Sequence, residues 1–147
     1  MQQTFPNLQS IYHNYKLLPL ILSFAVLIDY FFTFYFAPDL STIMKYEYSP
    51  TLLFALRNDI FIPYMMATFT FYYIGGYLIL KNLEGSEIYS IGVYILLMMS
   101  LTHILGGLSW YVLNPIYSNM VFTMSRISIV VAIGAFIYTL ITNPNPT

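Results

Sequence analysis

Four long apolar stretches occupy most of the 147-residue chain, at residues 17–36, 60–80, 88–113 and 121–141. Each has about the 20 residues that an α-helix needs to cross roughly 30 Å of hydrocarbon at 1.5 Å per residue. Many of the 15 tyrosines lie near the ends of these stretches, at the depth of the lipid headgroups, which amphipathic rings favour. The pattern predicts an all-α fold, an integral membrane four-helix bundle preceded by a short amphipathic segment.

The composition excludes a water-soluble domain, because charged residues make up 7% of the chain against roughly 25% in ordinary soluble proteins. The net charge of −1 provides no basic face, so a nucleic acid is not an expected partner. Without cysteine the chain cannot form disulfides, thiolate metal sites or covalent c-type haem links. The first apolar stretch lacks a basic region before Lys16 and a small-residue cleavage site, so we expect it to remain as a membrane anchor.

The remaining segments are the connections and ends of what we expect to be one transmembrane domain comprising all 147 residues. Residues 1–16 carry apolar side chains at helical spacing and are predicted to lie along the membrane surface; a frayed polar tail is the alternative. Residues 37–59 form the longest loop, in which Ser49-Pro50 predicts the N-cap and first residue of a short helix. Residues 142–147 form a tail.

Four crossings would make the chain a multi-pass protein with both termini on the same side of the membrane, which in a prokaryote would be the cell membrane. Lys16 and Lys81 flank one side, and Lys45 and Arg57 flank the other. Because the basic residues are balanced, the sequence does not predict the orientation.

Three ionisable side chains, those of Asp29, His103 and Arg126, lie inside the apolar stretches. A charge that faces hydrocarbon costs at least about 2.5–3.5 kcal/mol, so each needs a partner, a path to water or an escape to the interface. By helix rise, Asp29 and Arg126 lie at a similar depth, about 9–10 Å from the side of the long loop, and an ion pair between them is one hypothesis. In the alternatives, Arg126 extends to the interface or contacts another subunit or a ligand, and Asp29 is neutral and bonded to Thr33 or a tyrosine.

Small and polar residues at helical spacing predict that these groups face the interior of the bundle. Ala25, Asp29 and Thr33 follow one another at intervals of four on the first helix. The predicted interior cluster combines polar and aromatic side chains from all four helices: Asp29, Thr33, Thr68, Tyr72, His103, Trp110 and, if it pairs, Arg126. Three charged residues of the long loop are further candidates: Glu47, Arg57 and Asp59.

No metal site and no cofactor are predicted. The depths of Asp29, His103 and Glu47 do not converge on one ion. A haem held by two histidines within the chain is not expected, because His13 belongs to the opposite face of the membrane. His103 could supply one haem ligand if another chain supplied the second, and a hydrogen-bonded packing role is the alternative.

The sequence Asp-x-x-x-Thr at residues 29–33, followed by Glu-Tyr-Ser-Pro at residues 47–50, resembles a motif of an uncharacterised family of small prokaryotic four-helix membrane proteins. That family carries Asp-x-x-x-Thr in helix 1 and Glu-x-Asn-Pro in the loop that follows. Ser49 stands where asparagine is usual, and serine keeps the helix-capping chemistry. The resemblance covers about residues 20–60 and implies a four-helix membrane fold but no particular activity.

The chain contains none of the short motifs HExxH, GxSxG, GxGxxG or the P-loop, so catalysis is not the leading hypothesis. The leading hypothesis is an accessory or structural subunit of a larger membrane complex. Its partners would be the lipid bilayer and other membrane subunits or further copies of the chain. Two alternatives stay open: a proton or small-solute conduit formed by an oligomer, and a lipid- or quinone-binding protein or enzyme. Both would use the cluster of Asp29, His103 and Arg126.

Overall fold

The computed structural model describes residues 11–142, apart from the side chains at positions 139, 140 and 142. Within that range the chain forms six α-helices and no β-strand, which confirms the predicted all-α fold. The helices are, in chain order, α1 Leu17–Phe36, α2 Leu40–Tyr46, α3 Pro50–Arg57, α4 Phe61–Leu83, α5 Tyr89–Val112 and α6 Pro115–Thr142. Most of the predicted surface segment, and nearly all of the predicted tail, lie outside the described residues.

Three of these helices are long and apolar enough to cross a membrane: α1, α5 and the part of α6 from Pro115 to Tyr138. The bounds of α1 and α5 agree with the predicted bounds to within one residue. The 23-residue α4 is also long enough, but tyrosines, threonines and glycines interrupt it and lower its mean hydropathy, so it is not among the three. Length and composition therefore favour membrane crossing for three helices and do not support the predicted count of four.

The prediction for the last helix was wrong at its N-terminal end, since α6 begins at Pro115 and not at residue 121. Leu113 adopts a left-handed backbone conformation, with φ of 49°, that ends α5. The Asn114 side chain then accepts a hydrogen bond from the Ile116 amide at 2.8 Å. Pro115 fits the first helical position, where an amide hydrogen is not needed. The turn after α5 is thus confined to Leu113 and Asn114.

The long loop contains two short helices where the sequence predicted one. Asp39 caps α2, because its carboxylate accepts a hydrogen bond from the Thr42 amide at 2.7 Å. The predicted cap of α3 is confirmed: Ser49 accepts a hydrogen bond from the Leu52 amide at 3.3 Å, with proline at the first helical position. Leu52 and Ala55 are buried, so α3 is packed onto the long helices.

α1 is the central helix of the fold, since it packs against both α4 and α5, while α6 packs on α5. The core consists of buried apolar and aromatic side chains from α1, α3, α4 and α5: Leu18, Leu22, Val26, Tyr30, Leu52, Leu80, Leu83, Tyr89, Val93 and Leu96. Most apolar side chains of α6 are exposed, as expected for a helix that borders lipid. The group of α1, α4 and α5 therefore positions the buried polar residues.

Candidate functional site

Asp29 and His103 form a hydrogen-bonded pair inside the helix bundle. Asp29 lies on α1 and His103 on α5, and Oδ2 of the carboxyl group is 2.9 Å from Nδ1 of the imidazole ring. The two side chains are 22% and 23% exposed, respectively. An acid at membrane depth needs such a partner, and sequence reasoning had not proposed the histidine for it. The carboxyl group fixes the orientation of the ring and leaves Nε2 for a second hydrogen bond.

Two adjacent glycines allow α1 and α5 to meet at this pair. A Cβ atom at Gly107 would lie 2.9 Å from Cα and from the carbonyl oxygen of Asp29, and 2.9 Å from Cβ of Phe32. Side-chain carbons do not approach a backbone so closely, so the crossing requires glycine. A Cβ atom at Gly106 would lie 3.6 Å from Oδ1 of Asp29, which is an ordinary contact. Since Gly106 and Gly107 follow His103 by three and four positions, one face of α5 carries both the pair and the crossing.

The pair lines a cavity of about 430 Å³ between α1, α4, α5 and the segment that leads into α3. This volume is within the range of small-molecule sites in proteins. The lining is rich in carboxyl, hydroxyl and imidazole groups, contributed by Asp29, Tyr30, Thr33, Glu47, Ser49, Thr51, Tyr64, Thr68, Tyr72 and His103. Leu52, Ala67 and Phe71 complete it. Among the described residues, no lysine or arginine contributes to the lining.

A chain of hydroxyl groups ties the long loop to the membrane helices along the wall of the cavity. Oγ of Ser49 lies 3.1 Å from Oγ1 of Thr51, which lies 2.9 Å from the hydroxyl of Tyr64 on α4. The hydroxyl of Tyr30 on α1 donates to that of Tyr64 at 3.3 Å. Because Tyr64 is in the first turn of α4, this chain marks the loop side of the cavity. The loop wall is thus held to both α1 and α4 by hydrogen bonds.

Glu47 brings a second carboxyl group to the cavity from the loop. Its Oε1 accepts a hydrogen bond from the Ser49 amide at 2.8 Å. Burial raises the pKa of Glu47 above its ordinary value; the Ser49 hydrogen bond opposes this effect, and the negative charge of Asp29 adds to it. The two acids are therefore close enough to interact, although one belongs to the loop and the other to the interior of the bundle.

The structure brings most of the predicted interior cluster to this cavity, namely Asp29, Thr33, Thr68, Tyr72 and His103. The loop candidate Glu47 lines it as well. Sequence reasoning missed Tyr30, Tyr64 and Thr51 as site residues. For Tyr64 a signal existed, because it precedes Thr68 by four positions and therefore shares its helical face. Thr51 enters the site through the folding of the loop, which no local pattern encodes.

The other candidates lie away from the cavity. Arg126 is exposed on α6, and its guanidinium group is 4.1 Å from the centre of the Phe122 ring, a cation–π contact. Its suggested ion pair with Asp29 is not formed, because α6 packs on α5 rather than on α1. Trp110 is half-buried on α5 and does not line the cavity. The loop residues Arg57 and Asp59, at the C-terminal end of α3, are exposed and also lie outside the lining.

Chemically, the arrangement offers a carboxyl-oriented imidazole, a second carboxyl group and several hydroxyl groups to a small molecule. Such groups bind by hydrogen bonds and can accept or return a proton. Within residues 11–142, no three side chains of His, Asp or Glu are arranged to hold a metal ion.

Four of the motif residues named in the sequence analysis line this one cavity, namely Asp29, Thr33, Glu47 and Ser49, whereas Pro50 does not. They are brought together from α1 and from the loop before α3, which are separate elements of the chain. No protein-family model matches the chain, and no curated protein or solved structure matches it either.

Proposed function

We propose that this chain is a membrane protein with four spanning helices that binds the polar head of a molecule dissolved in the bilayer. The cavity around Asp29 and His103 would hold that head group. This proposal differs from the leading hypothesis of the sequence, because the structure supplies a cavity that sequence reasoning did not predict.

The packing of α4 along α1 supports a fourth crossing. The hydroxyl of Tyr64 on α4 meets that of Tyr30 in the C-terminal half of α1. Gly76 lies against Pro19 near the start of α1, where a Cβ atom on the glycine would be 3.0 Å from Cβ of Pro19. The two contacts are separated by about 17 Å along α1 and about 18 Å along α4. The helices therefore run antiparallel through the same depth, so that α4 crosses wherever α1 crosses. Four crossings put both termini on the same side.

One observation carries the proposed binding role: a cavity of about 430 Å³, at the depth of the membrane helices, contains the Asp29–His103 pair. Within the described chain, Nε2 of His103 has no hydrogen-bond partner. Polar groups at this depth are costly unless they are satisfied, and they mark functional sites by default. A head group that hydrogen-bonds to Nε2 would satisfy the pair while its apolar part stays in lipid.

A second cavity favours an amphiphile over a transported ion. It has a volume of about 660 Å³, shares Phe71 and Tyr72 with the first cavity, and continues along α4 as far as Asn82 and Leu83. Leu22 of α1 and residues of α5 and α6 complete its largely apolar lining. Such a lining offers room to a hydrocarbon chain but, among the described residues, no charged side chain to an ion. The conduit hypothesis is therefore less well supported than binding.

The test is native mass spectrometry of the protein released from mild detergent. We expect a bound lipid-soluble molecule on the unmodified protein, and loss of most of it in Asp29→Asn and in His103→Ala. Asp39→Asn is a matched control, because this exposed acid caps α2 and asparagine caps equally well. Equal occupancy in all four proteins, or none on the unmodified protein, would contradict the proposal.

The role as a subunit of a larger membrane complex stays a prediction. Its test is copurification in mild detergent, where partner polypeptides in fixed stoichiometry would support it and an isolated monomer that binds its ligand fully would count against it.

A further inference from the structure

We infer that the head group held in the polar cavity is a protonated amine. This inference rests on the proposed function and names the chemical class of its ligand. It follows from the hydrogen-bond acceptors that the cavity leaves available, from its charge and from its aromatic walls.

The cavity supplies more hydrogen-bond acceptors than the surrounding chain uses. Oδ2 of Asp29 contacts His103, whereas Oδ1 has no hydrogen bond within the described residues. Glu47 uses one oxygen for the Ser49 amide. Thr33 is 2% exposed, and its hydroxyl group adds a further acceptor to the lining. An ammonium group carries three donors and no acceptor, which is the complement of this lining.

The charges of the lining favour a cation over an anion. Two carboxyl groups face one imidazole, and the described lining contains no lysine or arginine. When Nε2 accepts a hydrogen bond from the ammonium group, the neutral ring donates through Nδ1 to an ionised Asp29, so the Asp29–His103 pair carries one negative charge. Glu47 then remains as the additional acid. In the low-dielectric interior of a membrane protein such a surplus attracts a cation and repels phosphate or carboxylate heads.

Aromatic rings provide the apolar part of a cation site. Tyr64, Phe71 and Tyr72 line the cavity, and the Tyr72 ring packs edge-on against the ring of His103, with 5.3 Å between ring centres. The faces of such rings attract ammonium groups, and the attraction is stronger where water is excluded. Carboxyl oxygens beside aromatic faces favour a protonated amine over an alcohol of the same size. The uncharged alcohol forms neither charge-assisted hydrogen bonds nor cation–π contacts.

The experiment uses the complete chain in nanodiscs of zwitterionic phosphatidylcholine, with empty nanodiscs as the baseline. Radiolabelled hexadecylamine is the probe, and unlabelled hexadecylamine, hexadecanol and hexadecanoic acid are the competitors. We expect saturable binding of the amine, about tenfold or more weaker competition by the alcohol, and none by the acid. Charge-assisted hydrogen bonds are strong enough to give a preference of this size.

Three substitutions assign the preference to the cavity. Asp29→Asn should weaken amine binding by about 10- to 100-fold, and Glu47→Gln by about 2- to 10-fold, because each removes one negative charge. Asp39→Asn removes an acid outside the cavity and should leave binding unchanged. If Asp29→Asn does not fold, as judged by its helical circular dichroism, amine binding by Glu47→Gln alone decides whether the preference arises in the cavity.

The outcomes separate the two proposals. If the alcohol competes as well as the amine, and both are weakened by Asp29→Asn, the amine inference is wrong while the binding role stands. Preference for the acid also overturns the inference. If none of the three compounds binds saturably, the inference fails, and native mass spectrometry of the unmodified protein then decides on the binding role separately.

Discussion

Replacing Gly107 by alanine tests whether the close crossing of α1 and α5 holds the Asp29–His103 pair together. The added Cβ atom would lie 2.9 Å from Cα and from the carbonyl oxygen of Asp29, whereas carbon atoms pack best at about 3.5–4.0 Å. The helices must therefore separate locally by about 0.6–1.1 Å. Two of the obstructing atoms belong to the backbone, so no side-chain rotation can relieve the contact.

The expected loss of stability follows from two opposing effects. Overpacking costs about 1–3 kcal/mol, and the better helix propensity of alanine returns at most about 1 kcal/mol. We expect the free energy of unfolding to fall by about 1–2 kcal/mol. The same separation would lengthen the 2.9 Å contact between Asp29 and His103 to about 3.5–4.0 Å, at or beyond the limit of a hydrogen bond.

The assay is unfolding by titration of sodium dodecyl sulfate into protein in a mild non-ionic detergent, followed by far-ultraviolet circular dichroism. Gly134→Ala is the matched control, since a Cβ atom at Gly134 would meet nothing within 4 Å. That variant should be unchanged or up to about 1 kcal/mol more stable. Gly106→Ala should fall between the two, because its nearest contact is 3.6 Å. If Gly107→Ala is as stable as Gly134→Ala, the reasoning is refuted.

Three further predictions concern the loop side of the cavity. Tyr64→Phe removes the hydroxyl that bridges the loop and α1, and we expect a loss of about 1–2 kcal/mol in the same titration, with Tyr73→Phe as a control outside the cavity. Ser49→Ala removes the cap of α3, and the amides of α3 should exchange with deuterium about three- to tenfold faster; an unchanged rate would contradict the capping role. Because the pKa of Glu47 is raised on folding, its contribution to loop stability is fully present below the pKa of the unfolded chain and is lost as pH rises through the folded value. Exchange in α3, corrected for intrinsic rates, should therefore be slower at acidic pH, and Glu47→Gln, but not Glu87→Gln, should abolish this dependence.

The long membrane helices could be predicted closely where length and apolar character alone define them. The bounds of α1 and α5 are of this kind. The start of α6 could not be predicted in this way, because Asn-Pro is typical both of a turn and of a capped helix start. Its meaning depends on whether the Asn114 side chain turns back to cap the amides that follow, as it does here.

The polar residues of the site could be selected from sequence, but their partners could not. A charged residue in an apolar stretch is visible in one dimension, and helix rise gives its depth. Depth does not give the order of the helices around the bundle, and this order decides between Arg126 and His103 as the partner of Asp29. In the structure Gly107 of α5 lies against the backbone of Asp29 on α1, a contact that the sequence of neither helix reveals alone.

Asp29 is synthesised before its hydrogen-bond partner. It precedes His103 by 74 positions, so a ribosome that adds about 5–20 residues per second needs about 4–15 s to deliver the histidine. If the first helix inserts within this interval, a charged Asp29 raises the free energy of insertion by about 2.5–3.5 kcal/mol, which the many leucines and phenylalanines of α1 must outweigh. A chain that stops before α5 would expose an unpaired Asp29 to lipid. Membrane proteases would then be able to tell incomplete copies of the protein from complete ones.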